Sequence, residues 1–181
     1  MISLILSLFS LLLPFDNDIR ITPQAPDIIW YNGELYPLHE QPMQNIYIKR
    51  EEFRNEINDK EFFLSSGSAC WQGFIAEWEL TENGELFLLN IHDCESYGMY
   101  YYVDENGIVV LTGNPFTNRA DLKNIFGNGV QENKVKATWF NGYLKIPKGK
   151  AISSYYGGYR YKYADYYNIP ICDGNILQLE S

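Results

Sequence analysis

The run from Trp71 to Ile91, Trp-Gln-Gly-Phe-Ile-Ala-Glu-Trp-Glu-Leu-Thr-Glu-Asn-Gly-Glu-Leu-Phe-Leu-Leu-Asn-Ile, leaves a chain few ways to fold. Asn and Gly tolerate the positive φ that both central positions of a type I′ turn require, so Asn83-Gly84 marks a two-residue hairpin. Counting outward sets Glu82 opposite Glu85, Thr81 opposite Leu86, Leu80 opposite Phe87, Glu79 opposite Leu88, Trp78 opposite Leu89, Glu77 opposite Asn90 and Ala76 opposite Ile91. One side of the ribbon is then apolar and the other mostly polar. A slip of one residue would turn Trp78, Leu80, Phe87 and Leu89 into water, so the pattern predicts a hairpin and also which side meets a core.

The same signal recurs along the chain. Asn32-Gly33 divides Ile28–Tyr31 from Glu34–Tyr36, and Asp173-Gly174 divides Asn168–Cys172 from Asn175–Leu179. Asn106-Gly107 sets Val103 opposite Val110, Tyr102 opposite Leu111 and Tyr101 opposite Thr112, with apolar side chains on both faces, as expected of a ribbon between other elements. Asn141-Gly142 predicts a further hairpin pairing Trp139 with Leu144 and Ala137 with Ile146, ended by Pro147. Helical signals are sparse. Phe53 and Ile57 allow a short helix from about Arg50 to Asn58, and Asn118 reads as an N-cap with Asp121 at N3, Leu122, Ile125 and Phe126 on one face and Gly127 as the stop. The expected fold class is mostly β: an antiparallel sandwich or partly open barrel of such hairpins, with one or two short helices.

A length of 181 residues with 46% apolar content fits one β-rich domain over 27–181, after an apolar segment and proline-containing linker over 1–26. Met1–Phe15 is apolar apart from three serines, long enough for a signal-peptide core and short for a membrane span; a misplaced start or a buried first segment are the alternatives. No integral span is expected. Periplasmic or secreted localisation follows if the segment is a signal, cytoplasmic otherwise. The formal charge of -9 opposes nucleic-acid binding, which needs clustered cations, and favours a basic partner. Cys70, Cys94 and Cys172 allow one bridge and a free thiol outside the cytosol, or three reduced thiols inside it.

Groups with chemistry are few. Glu77 and Glu79 share a strand face roughly 7 Å apart, a spacing that glycosidase carboxylates can use but that a solvated strand face also produces. His92 and Cys94 are metal-ligand types able to point the same way, short of the ligand number a zinc site needs. Cys70 lacks the surroundings of a nucleophile and reads as a small buried hydrophobe. No cofactor is expected. Tyr159, Tyr161 and Tyr163 alternate with Arg160 and Lys162 as a stripe that, with Trp71, suits a protein or glycan surface, though strand tyrosines also commonly pack inward.

Through Tyr31-Asn32-Gly33 with Tyr36, Trp71-x-Gly73-Phe74-x-Ala76-x-Trp78, Leu86-x-Leu88-x-x-Ile91, Trp139-Phe140-x-Gly142-x-Leu144-x-Ile146-Pro147 and Gly158-Tyr159, the chain resembles an uncharacterised family of small bacterial proteins that often bear an export-like N-terminal segment. The resemblance covers most of the chain after Asp27 and implies a β-rich fold; members usually carry arginine where Gln72 stands. It brings no activity with it. The acidic balance and the C-terminal tyrosines make the expected function a non-enzymatic protein-binding module, of inhibitor or immunity type. The alternative is an exported carbohydrate-binding or glycoside-cleaving protein.

Overall fold

A computed structural model describes residues 24–44, 46, 70, 72–94, 101–112, 120–155 and 160–177. Their strands are β1 (Asp27–Tyr31), β2 (Glu34–Leu38), β3 (Phe74–Leu80), β4 (Leu86–Asp93), β5 (Tyr101–Val103), β6 (Val109–Leu111), β7 (Val130–Gln131), β8 (Lys134–Lys136), β9 (Gly142–Tyr155), β10 (Arg160–Cys172) and β11 (Asn175–Ile176). The α-helix α1 (Leu122–Phe126) lies between β6 and β7. The helix predicted near 50–58 lies outside the described residues.

The strands form a six-stranded sheet in the order β2-β1-β3-β4-β8-β7, a three-stranded sheet β11-β10-β9 and a two-stranded sheet β5-β6. The fold is mostly β and sandwich-like, and it is not a closed barrel. One pairing departs from the antiparallel expectation: β1 runs parallel to β3, with Ile28 beside Glu77 and Tyr31 beside Leu80. Parallel neighbours cannot be joined by a tight turn, so no local turn signal announces them.

The hairpins divide into two kinds. Asn32 and Gly33 adopt φ of 52° and 78°, and Asp173 and Gly174 φ of 48° and 71°, the two-residue turns expected. At Asn83-Gly84 and Asn106-Gly107 only the glycine is left-handed, and the turn is one residue wider. Thr81 N–H donates to Glu85 O and Gly84 N–H to Thr81 O; Asp104 N–H donates to Ile108 O and Gly107 N–H to Asp104 O. Both are type I turns closed by a glycine bulge. Their first residues select them. Thr81 Oγ1 accepts from Glu85 N–H, and Asp104 Oδ1 accepts from the N–H groups of Asn106 and Ile108. The predicted registers next to these turns are corrected accordingly: Leu80 meets Leu86, Glu79 meets Phe87 and Trp78 meets Leu88, while Val103 meets Val109 and Tyr102 meets Val110. A β-bulge between Glu77 and Trp78 then absorbs Leu89, so Glu77–Asn90 and Ala76–Ile91 pair as expected.

The Asn141-Gly142 hairpin does not form. Phe140 N–H closes a turn onto Ala137 O, and Asn141 instead exchanges hydrogen bonds with Asp173, its Nδ2 donating to Oδ1 and its Oδ1 accepting from the Asp173 N–H. The strand after Gly142 pairs with β10, Leu144 facing Ile169. It also runs through Pro147 rather than ending there. Proline is tolerated because the residues along the free side of β9 need no ladder partner: Lys145 N–H donates to Glu40 Oε2 at 3.2 Å and Ala151 N–H to Asn106 O at 2.5 Å.

Helix α1 begins one turn later than expected. Asp121 is its N-cap, accepting from Lys123 N–H at 2.9 Å, and Gly127 stops it at φ 57°.

Two cores result, one on each face of the six-stranded sheet. The larger gathers Ile29, Phe74, Trp78, Leu88 and Ile91 with Leu144, Ile146 and Ile171 of the three-stranded sheet and Leu122 and Ile125 of α1. The smaller places Ile28, Leu35 and Ile75 against Val103 and Val109 of the β5-β6 ribbon, with Ala25 and Cys70. The ribbon thus covers the sheet with its inner face, while Tyr102 and Ile108 remain exposed on its outer one.

Candidate functional site

Alternation along β3 sends Phe74, Ala76, Trp78 and Leu80 into the larger core and Ile75, Glu77 and Glu79 to the opposite face. That face is not solvent at Glu77. The ribbon and the chain before β1 roof it, leaving Glu77 3% and His92 1% exposed. The carboxylate is paired on both oxygens: Trp30 Nε1 donates to Oε1 at 2.8 Å, Asn90 Nδ2 donates to Oε2 at 2.7 Å, and His92 Nε2 lies 3.1 Å from Oε2. Facing an acceptor, that nitrogen is the one that carries the proton. Burial pushes the Glu77 carboxyl up, and the bonds from His92, Trp30 and Asn90 outweigh it, so the group lies below the ordinary carboxylate range. Glu79, two residues on, is at the rim and pairs with Lys134 Nζ at 3.3 Å. Glu77 is thus a sealed, ionised acceptor and cannot serve as the protonated acid of a glycosidase pair.

A second buried carboxylate heads β1. Asp27 is fully buried and accepts from Ala76 N–H at 3.0 Å and Gln72 Nε2 at 3.1 Å on Oδ1, and from Trp78 Nε1 at 3.1 Å on Oδ2. Desolvation lifts its pKa to about 7 against those three bonds. Its position pins the start of β1 to β3 and anchors the Trp78 indole.

Cys70 and Cys94 form a disulfide with Cα atoms 6.0 Å apart. It joins the residues just before β3 to the end of β4, closing the far end of the central hairpin. The two thiols considered as nucleophile and as metal ligand are therefore spent on each other, and His92 belongs to the Glu77 cluster. Among the described residues no three His, Cys, Asp or Glu side chains converge as a metal site. Cys172 is an exposed free thiol.

The tyrosine stripe of β10 faces inward where it is described. Tyr163 is 3% exposed and its hydroxyl donates to Gly107 O, while the Tyr161 hydroxyl donates to Val103 O at 2.8 Å. These side chains dock the β5-β6 ribbon, which corrects the expectation of an outward-facing stripe at Tyr161 and Tyr163. A Cβ at Gly107 would lie 2.5 Å from the Ala151 Cβ and 2.6 Å from the Tyr163 hydroxyl, so the glycine is required by close packing as well as by its φ of 75°. Tyr159 and Trp71 lie outside the described residues.

A different set of tyrosines meets at the surface, where β1 and β2 pass β10. Tyr31 and Tyr167 pack edge to face with ring centroids 5.4 Å apart, and Lys148 Nζ stands 4.7 Å over the Tyr167 ring. Tyr36 lies on the same face of β2 and donates its hydroxyl to Glu34 Oε2. Lys148 is held by Asp165 at 2.8 Å, which raises the ammonium and lowers the carboxylate. Burial first, then the Glu34 carboxylate, pushes the Tyr36 phenol up to about 12. The seam offers aromatic faces, phenol hydroxyls and carboxylates, with Tyr167 39% exposed. Periodicity could not reveal it, since its members come from three strands. The one sequence signal was that Tyr31 and Tyr36 flank a two-residue turn, which puts them on one face.

No family model, curated protein or solved structure matches the chain. Among the described residues no helix is long and apolar enough to cross a membrane.

Proposed function

We propose that the protein is a non-catalytic module that binds another protein, as an inhibitor or immunity-type partner, with the Tyr31, Tyr36 and Tyr167 seam as its contact surface. The observation that supports this is where reactive and adhesive groups sit. Glu77, His92 and Asp27 are sealed and hydrogen-bonded inside the fold, whereas partly exposed tyrosines with polar tips gather outside. The Cys70–Cys94 bridge fits an oxidising compartment, so the module is read as an exported one.

The test is capture from extracts of the native host, with bound proteins identified by mass spectrometry. Wild type and a Tyr102→Asp variant, altered on the exposed outer face of the β5-β6 ribbon, should retain the same protein. Tyr167→Ala should lose it while melting at a similar temperature. Retention by Tyr167→Ala would remove the seam from the interface; retention on glycan columns with no protein partner would replace this reading with the carbohydrate one.

A further inference from the structure

We propose that the seam recognises a cationic side chain, a lysine-type ammonium presented by the partner, which takes the place that Lys148 occupies in the free protein. This rests on the seam being the contact surface and adds the chemistry it selects. The molecule itself supplies the stand-in: Lys148 Nζ lies 4.7 Å from the Tyr167 ring centroid and 2.8 Å from Asp165 Oδ2, so an ammonium on an aromatic face backed by a carboxylate is already a populated arrangement. That internal pair is held weakly. Its side chains are 38% and 66% exposed, and exposed ion pairs contribute little in water. A ligand cation delivered by a docked partner, with water excluded around it, competes for the same ring and carboxylate on better terms.

The surroundings favour positive charge. Glu34 lies beside Tyr36 on the same face as Tyr31, and 23 acidic against 14 basic residues give the whole chain a charge of -9 that draws basic partners. The Tyr36 phenol keeps its proton far above neutral pH and donates it in a hydrogen bond to Glu34. Lysine is the cation that already occupies this site in the molecule, and it sets the probe.

Tetralysine amide is titrated into the full chain by calorimetry, with fully Nε-acetylated tetralysine as the neutral control, and tyrosine ring resonances are followed by NMR. Tetralysine should bind and shift the Tyr167 ring, and the acetylated peptide should not. Tyr167→Ala should weaken binding about tenfold, and Lys148→Ala, which removes the internal competitor at an exposed position, should tighten it severalfold. Equal affinity for wild type and both variants would mean that the peptide reads only net charge and would overturn the inference, as would weaker binding by Lys148→Ala. Should Tyr167→Ala disturb the melt, Lys148→Ala decides alone. Partner capture that depends on Tyr167 while tetralysine binding does not would sink the cation and leave the surface standing.

Discussion

Asp27 and Glu77 sit on neighbouring strands, each buried and each accepting three hydrogen bonds, yet their charges have opposite fates. Asp27, on the side of Trp78, has only neutral donors at 3.0 to 3.1 Å, and desolvation wins. Glu77, on the side of the ribbon, has donors at 2.7 and 2.8 Å together with His92, a group able to carry positive charge, and pairing wins. The lesson is that depth does not set the protonation of a buried acid; the strength and charge of what faces it decide. The smaller core tolerates the Glu77 carboxylate because three donors face it, and a disulfide holds its edge.

Four measurements sharpen or break this contrast. The largest effect is expected at Glu77→Ala, which leaves His92, Trp30 and Asn90 facing a void and should cost about 3–5 kcal/mol in denaturant unfolding; replacing Glu77 and His92 together by leucine should recover most of it. A cost under about 1 kcal/mol for the single change would show that the cluster is wet. Next, Cys70→Ser with Cys94→Ser should cost about 3 kcal/mol, set by the loop that the bridge closes, and reducing agent should lower the wild-type melt by a matching amount.

Asp27 has a folded pKa near 7 against an ordinary 3.8, so its contribution to stability is complete below about pH 4 and is lost as pH rises through 7. Wild type should lose about 1.4 kcal/mol per pH unit relative to Asp27→Asn inside that window. Glu77 acts in the reverse sense: its contribution is present above its ordinary value and lost as pH falls through the lowered one. Parallel pH profiles for wild type and Asp27→Asn would refute the assignment. The smallest change is expected at Glu79→Gln, two residues from Glu77 but at the rim beside Lys134, with a shift of no more than about 0.5 kcal/mol.

Much of this fold was legible because turns are local. Asn32-Gly33 and Asp173-Gly174 reverse the chain as read, and Gly127 stops its helix. The two misjudged registers share a Thr/Asp-Glu-Asn-Gly sequence, and the side chain three residues ahead of the glycine, not the Asn-Gly pair, chose the turn. What could not be read is long-range. The alternation in β3 predicted a wet polar face; only the packing of Ala25, Val103 and Val109 over it reveals Glu77 as interior. The inward Tyr161 and Tyr163, and the outward seam built from Tyr31, Tyr36 and Tyr167, likewise depend on which strands meet across the sequence.

The treatment of β9 bears on how these molecules behave in a crowd. A 14-residue strand at the border of a sheet is an invitation for neighbouring molecules to zip on and grow into a fibre. Here the rim is shut at three places, by the Glu40 carboxylate at Lys145, by the ring of Pro147 and by the Asn106 carbonyl at Ala151. The longest border among the described residues is thus closed to a further strand from within, by side chain, ring and loop.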